Sequence, residues 1–180
     1  MLRRRRPPPD PLAHVDPAAV SARFAGSVAD ALDARRRFAG LLAGVREGPV
    51  RDRLTAAGER LEAGVLAVWD TARRATDVEH TLATLDPDRV ADDYKRAKRV
   101  AGDDELEAVL AQRFASVQRL LNALDDTEDR LRLLDARLGA AVAGAAEVAL
   151  GTTGGDALGA EMDGVVAELE SLRAALHELG

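Results

Sequence analysis

From Asp103 to Leu138 the chain contains neither glycine nor proline, and through this stretch and on to Val148 apolar residues recur at alternating intervals of three and four. Val117, Leu120, Leu124, Thr127, Leu131, Leu134, Leu138, Ala141, Ala145 and Val148 keep that register without a slip. This is the spacing of one helix face packed against other helices. Asn122, Asp125, Asp126 and Thr127 are weak helix formers, but a break there would reset the apolar phase. The phase is kept, so the pattern predicts one helix over about 104–150, roughly 70 Å long at 1.5 Å per residue.

A stripe of that length is buried only against other long helices, and the rest of the chain supplies them. Asp16-Pro17 combines an N-cap with proline at the first helical position, and opens a helix over about 17–47. Its apolar face is Val20, Phe24, Val28, Ala31, Phe38, Leu42 and Val45. Gly48-Pro49 stops that helix and opens a second over 50–85, so the two should fold back antiparallel. Leu54, Ala57, Leu61, Val65, Val68, Ala72, Ala75, Leu82 and Leu85 mark its buried side, with Trp69 in or beside the core. Asp86-Pro87 repeats the cap-then-proline signal and opens a shorter helix over 87–101. Asp103, Asp104 and Glu105 then place negative charge where a helix start favours it.

After Gly151-Thr-Thr-Gly-Gly155, a flexible connector, Asp156 caps a last helix over 157–179. It carries Leu158, Met162, Val165, Leu169, Leu172, Leu176 and Leu179 in heptad spacing. Three heptads are marginal for an independent coiled coil. The strip is therefore a candidate helix-packing or dimer interface, with the small-residue end of the long helix at Ala141, Ala145 and Val148 as a docking place. The expected fold is all-α: an elongated antiparallel helical bundle or coiled coil of about five helices. It forms one domain over 16–180, preceded by a disordered Arg- and Pro-rich arm over 1–15.

Composition sets the outer limits. Apolar residues make up 47% and charged ones 31%, too apolar for a disordered chain and too charged for one embedded in a membrane. Aromatics are 3%, so the core is built from Leu, Val and Ala. The absence of Cys removes disulfides, thiolate metal sites and cysteine nucleophiles together. A net charge of −6 gives no overall field toward polyanions. Ile is absent, Asn122 is the single Asn, and Lys95 and Lys98 are the only lysines. That is the codon bias of a high-GC bacterial genome, so abundant Arg is not by itself a sign of phosphate binding. The longest apolar run, 138–150, is short of the roughly 20 residues that cross a bilayer, and no apolar segment follows the N-terminal arginines as in a signal peptide. A cytoplasmic protein is expected.

The side chains that usually carry chemistry do not assemble into a pattern. Asp77 and His80 stand three apart, but no second pair completes a metal set, and His14 and His177 have no evident partner. The acidic group Asp125, Asp126, Glu128 and Asp129 lacks the glycine turn and oxygen spacing of a calcium loop, and Arg130 and Arg132 flank it. The Gly-rich connector at 151–155 lacks the lysine of a phosphate loop. No catalytic, cofactor-binding or metal-binding residue is expected, no cofactor, and no small-molecule substrate.

Two basic features remain. Arg3, Arg4, Arg5 and Arg6 form a compact cationic group displayed beyond Pro7-Pro8-Pro9, a candidate contact for anionic lipid or nucleic acid. Arg89, Lys95, Arg96, Lys98 and Arg99 form the second, but Asp92 and Asp93 stand three or four residues from several of them and neutralise much of the patch. The chain is thus expected to be a non-enzymatic helical scaffold or adaptor that binds a protein partner or itself. The alternative is a peripheral membrane-surface or nucleic-acid-associated protein using Arg3 to Arg6.

Overall fold

The computed structural model describes residues 10–99 and 104–151, together with Ala160, Gly164 and Ala167. Among the described residues all regular structure is helical: a 3-10 turn at Pro17–Ala19, then α1 (Ala22–Gly44), α2 (Pro49–Leu85), α3 (Pro87–Ala97) and α4 (Asp104–Leu150). α4 runs unbroken through Asn122 to Thr127, as its apolar phase requires. Thr127, the polar member of the seam, is buried, and its hydroxyl donates to the Ala123 carbonyl one turn back at 2.7 Å. No lone polar group is left in the seam by its presence.

Contacts between helices give the topology. Ser21 meets Thr76, Arg35 meets Glu62 and Phe38 packs on Gly58, so numbers fall along α2 as they rise along α1. The two are antiparallel. Arg23 reaches Asp125 and Glu128, Asp135 lies within electrostatic reach of Asp30 and Arg37, and Gly44 shares a cleft with Ala149. Here the numbers rise together, so α1 and α4 are parallel. α3 runs against the start of α4, with Tyr94 stacked on Phe114 and Ala97 beside Leu106 and Leu110.

The body formed by α1, α2 and α4 is packed through small residues. Ala31, Ala34, Ala72, Ala75, Ala141 and Ala145 are at most 1% exposed and let the backbones approach closely. Phe24, Leu61, Leu131, Leu134 and Leu138 fill the space between them. Gly58 has a particular job: a Cβ there would sit 3.1 Å from the Phe38 ring. Trp69 is core, with the Arg73 guanidinium 5.9 Å from its ring centroid.

α3 stops short, at Ala97 with Lys98 and Arg99 in a turn, where the sequence predicts a helix to 101. Three departures from expectation lie at the two ends of α1 and before it. Asp16 does cap, accepting from the Ala18 N–H at 2.9 Å, but the turn it starts lasts only to Ala19. Val20 is extended, and the Ser21 N–H is engaged by Thr76 Oγ1 of α2 at 3.0 Å, so α1 begins at Ala22. At its far end α1 stops at Gly44 rather than Glu47. There Arg51, in the first turn of α2, donates to the Val45 carbonyl at 2.6 Å and supplies the acceptor-rich end with a cation.

The third departure is a correction to the disordered arm over 1–15. From Asp10 onward the chain is docked: Leu12 and Val15 are 3% and 8% exposed. Asp10 accepts from both terminal nitrogens of Arg35 at 2.9 and 2.7 Å, while Arg35 Nε donates to Glu62 at 2.9 Å. Two apolar residues among prolines make no period, which is why the sequence pattern does not reveal the docking. Arg3 to Arg6 lie outside the described residues, as do 100–101 of the expected third helix. So do Leu158, Met162, Val165, Leu169, Leu172, Leu176 and Leu179 of the expected last helix. Ala160, Gly164 and Ala167, in that same stretch, are helical and exposed.

Candidate interaction surface

α4 is one helix in two surroundings. Phe114, Glu128 and Asp135 are separated by whole heptads and so share a flank of α4. Glu128 and Asp135 face α1, and Phe114 faces α3, so α3 lies on the α1 side, end to end with it. α2 also packs on α4. The register set by Ser21–Thr76 and Arg23–Asp125 brings the last turn of α2, at Leu82 and Leu85, about level with Val117. Nearer the start of α4, α3 is its only helical companion among the described residues.

The seam does not stop where α2 stops. Leu110 and Leu106 continue the intervals of seven from Val117 and Leu120. Val117 is 1% exposed, but Leu106 is 48% and Val109 59% exposed. Between α3 and α4 at this tip is a hollow of about 350 Å³ lined by Asp93, Arg96, Ala97, Leu106 and Leu110. Beside it the stacked Tyr94 and Phe114 rings, centroids 5.1 Å apart, join the two helices. Large apolar side chains left in water beside a hollow mark an interaction surface more often than a lone exposed leucine does.

Charge frames this surface. On α3 the acids and bases pair within the helix: Arg89 with Asp93 at 3.9 Å, Lys95 with Asp92 at 3.4 Å, Arg96 with Asp93 at 3.8 Å. Lys98 and Arg99, at its end, make no ion pair among the described residues, and neither do Asp104, Glu105 and Glu107 in the first turn of α4. Arg113 occupies a seam position one heptad from Leu106 and from Leu120, and is exposed.

The acidic group on α4 has a different use. Asp125 and Glu128 accept from Arg23 of α1 at 2.5 and 2.6 Å, and Glu128 and Asp129 also accept from Arg132. Burial works against the Arg23 charge, but the two carboxylates outweigh it and hold the guanidinium protonated. This is a clamp between helices. Near it, burial and then the like charge of Asp30 push the Asp135 carboxyl up, against the pull of Arg37. His80 and Asp77 are both exposed on α2, and no group of three or more metal-binding side chains is assembled among the described residues. An open cleft of about 640 Å³ lies at the far end of the body, between the α1–α2 turn and Leu150. Its lining is largely glycine and apolar residues, with Arg46 and Glu47 the charged ones.

No family model matches the chain, and no curated protein or solved structure matches it.

Proposed function

We propose that this chain is a non-enzymatic helical interaction protein, a scaffold or adaptor, and that the tip formed by α3 and the start of α4 is a surface through which it binds. The observation that carries this reading is the exposure of Leu106 and Val109 where the α4 seam runs past the end of α2. Such a groove suits an amphipathic helix from a protein partner, which would lay its apolar face along the seam.

Two finer elements belong to the same reading. Residues 157–179 form a fifth helix of the bundle, and on an ideal helix the strip from Leu158 to Leu179 lies opposite the exposed Ala160, Gly164 and Ala167. That strip is a second place for packing, within the chain or between chains. The protein works in the cytoplasm; among the described residues no helix is long and apolar enough to cross a membrane.

Crosslinking and affinity capture from the source cells, with wild type and Val109→Glu compared, tests the reading. Partners should be captured by wild type and lost with the variant; identical capture by both would sink the tip as a binding surface. The alternative, attachment to anionic lipid or nucleic acid, rests on the four consecutive arginines. Its test is deletion of residues 1–9, stopping short of the Asp10–Arg35 pair. Binding to anionic vesicles or DNA should then disappear, and in the intact chain it should weaken steeply with salt.

A further inference from the structure

Among the described residues the start of α4 has only α3 beside it, so the rest of its apolar surface is open to an occupant. Asp10, beside Arg35 and Glu62, and Leu150, beside the α1–α2 turn, both lie in the part of the body far from the tip. Along α4, Leu110 is about 45 Å from the level of Asp10 and about 60 Å from Leu150.

The surface is complementary to itself. At one end stands the acidic first turn of α4, with Asp104, Glu105 and Glu107, and about two turns on stands Arg113 in the seam. Leu106 stands within that turn, and Val109 and Leu110 lie between it and Arg113. A second α4 laid antiparallel brings each Arg113 over the other's acidic turn and the leucines together. A parallel partner would instead drive its own body into the line of α2. The antiparallel one meets only the end of α2.

We propose that the tip is a homodimer surface. Two copies pair α4 against α4, antiparallel about a twofold axis near Val109, so that Leu106 of each meets Leu110 of the other. The two α3 helices flank the pair and complete a four-helix bundle. This rests on the reading of the tip as an interaction surface and names its occupant. A contact about 20 Å long and about 20 Å wide buries about 800 Å² in total, below the roughly 1,200 Å² of stable interfaces, so the dimer is a weak, reversible one.

The test is sedimentation of the full chain up to about 200 μM, where a monomer–dimer equilibrium is expected. Val109→Glu, at an exposed position where the fold should stay intact by circular dichroism, should weaken it about tenfold or more. Arg113→Glu should weaken it as well, and adding Asp104→Lys and Glu105→Lys to that variant should restore it. The chain has no Cys, so single cysteines report geometry cleanly. Val109→Cys, near the axis, should form an intermolecular disulfide readily on mild oxidation. Ala115→Cys, exposed but about 20 Å from its symmetry mate, should not. A chain monomeric at every concentration, or equal crosslinking by the two cysteines, overturns the proposal. If the chain is monomeric yet Val109→Glu still abolishes capture of another protein, only the second copy is wrong. If capture is also unchanged, the interaction reading falls with it.

Discussion

The body and the tip share a helix and differ in nearly everything else. In the body, α4 is held from two sides by α1 and α2, its seam from Leu124 to Ala145 is at most 1% exposed, and alanines let the three backbones close in. At the tip α3 is its only helical companion among the described residues, and Leu106 and Val109 stand about half in water. The sequence of α4 keeps one period through both. What separates the regions is therefore where the neighbouring helices begin and end: α1 at the Ser21–Thr76 hydrogen bond, α2 at Asp86. An amphipathic stripe states that a helix will be covered; its companions decide by whom.

That contrast can be broken by measurement. Phe24→Ala and Leu131→Ala, at 0% and 1% exposure in the body, should each cost about 3–5 kcal/mol in urea unfolding, because a cavity remains between helices that cannot collapse. Leu106→Ala at the tip should cost about 1 kcal/mol or less, since half of that side chain is already in water. Comparable losses at the two places would erase the distinction.

Thr76→Val removes the acceptor that fixes the start of α1 and should cost about 1–2 kcal/mol, with amide exchange at Ser21 accelerated. A smaller effect is expected at the α1–α4 clamp. Arg23→Gln should cost about 1 kcal/mol at low salt and less at 1 M salt, because the pair is a quarter exposed on the arginine side and more on Asp125.

The smallest effect carries a sign. The Asp135 carboxyl is held above its ordinary value, first by burial and then by Asp30. The folded state thus binds its proton more tightly than the unfolded chain does. The group's contribution to stability is favourable in acid and is lost as pH rises through the raised value. Asp135→Asn should accordingly unfold at slightly higher urea than wild type at pH 7, with the gap closing toward pH 4. A gap that widens on acidification would contradict this environment for Asp135.

Much of this was legible in the residues. The continuity of α4 across Asn122 to Thr127 follows from phase, and the turns at Gly48-Pro49 and Asp86-Pro87 follow from the stereochemistry of a capping residue and a ring that fixes φ. Three features were hidden because they depend on contacts distant along the chain. Ser21 is an ordinary residue until Thr76 takes its N–H. Leu12 and Val15 carry no period, so their burial against the body has no signature. The exposure of Leu106 and Val109 is also invisible in sequence, since an apolar seam reads the same whether or not a neighbour reaches it. Only the position of the α2 terminus, converted into a level along α4, shows the difference.

The junction at Asp86 has a mechanical consequence. That one residue, with φ of 51°, closes α2 and caps α3 through its bond with the Arg89 N–H, so the ladder of helical hydrogen bonds is interrupted there. α4 passes the same level without interruption, like the unbroken leaf of a spring beside a jointed one. Tilting the tip relative to the body therefore means flexing α4 itself, and a load applied at α3 is carried lengthwise through a single rod about 70 Å long. The direction in which the tip points is set by the stiffness of that rod, not by the joint beside it.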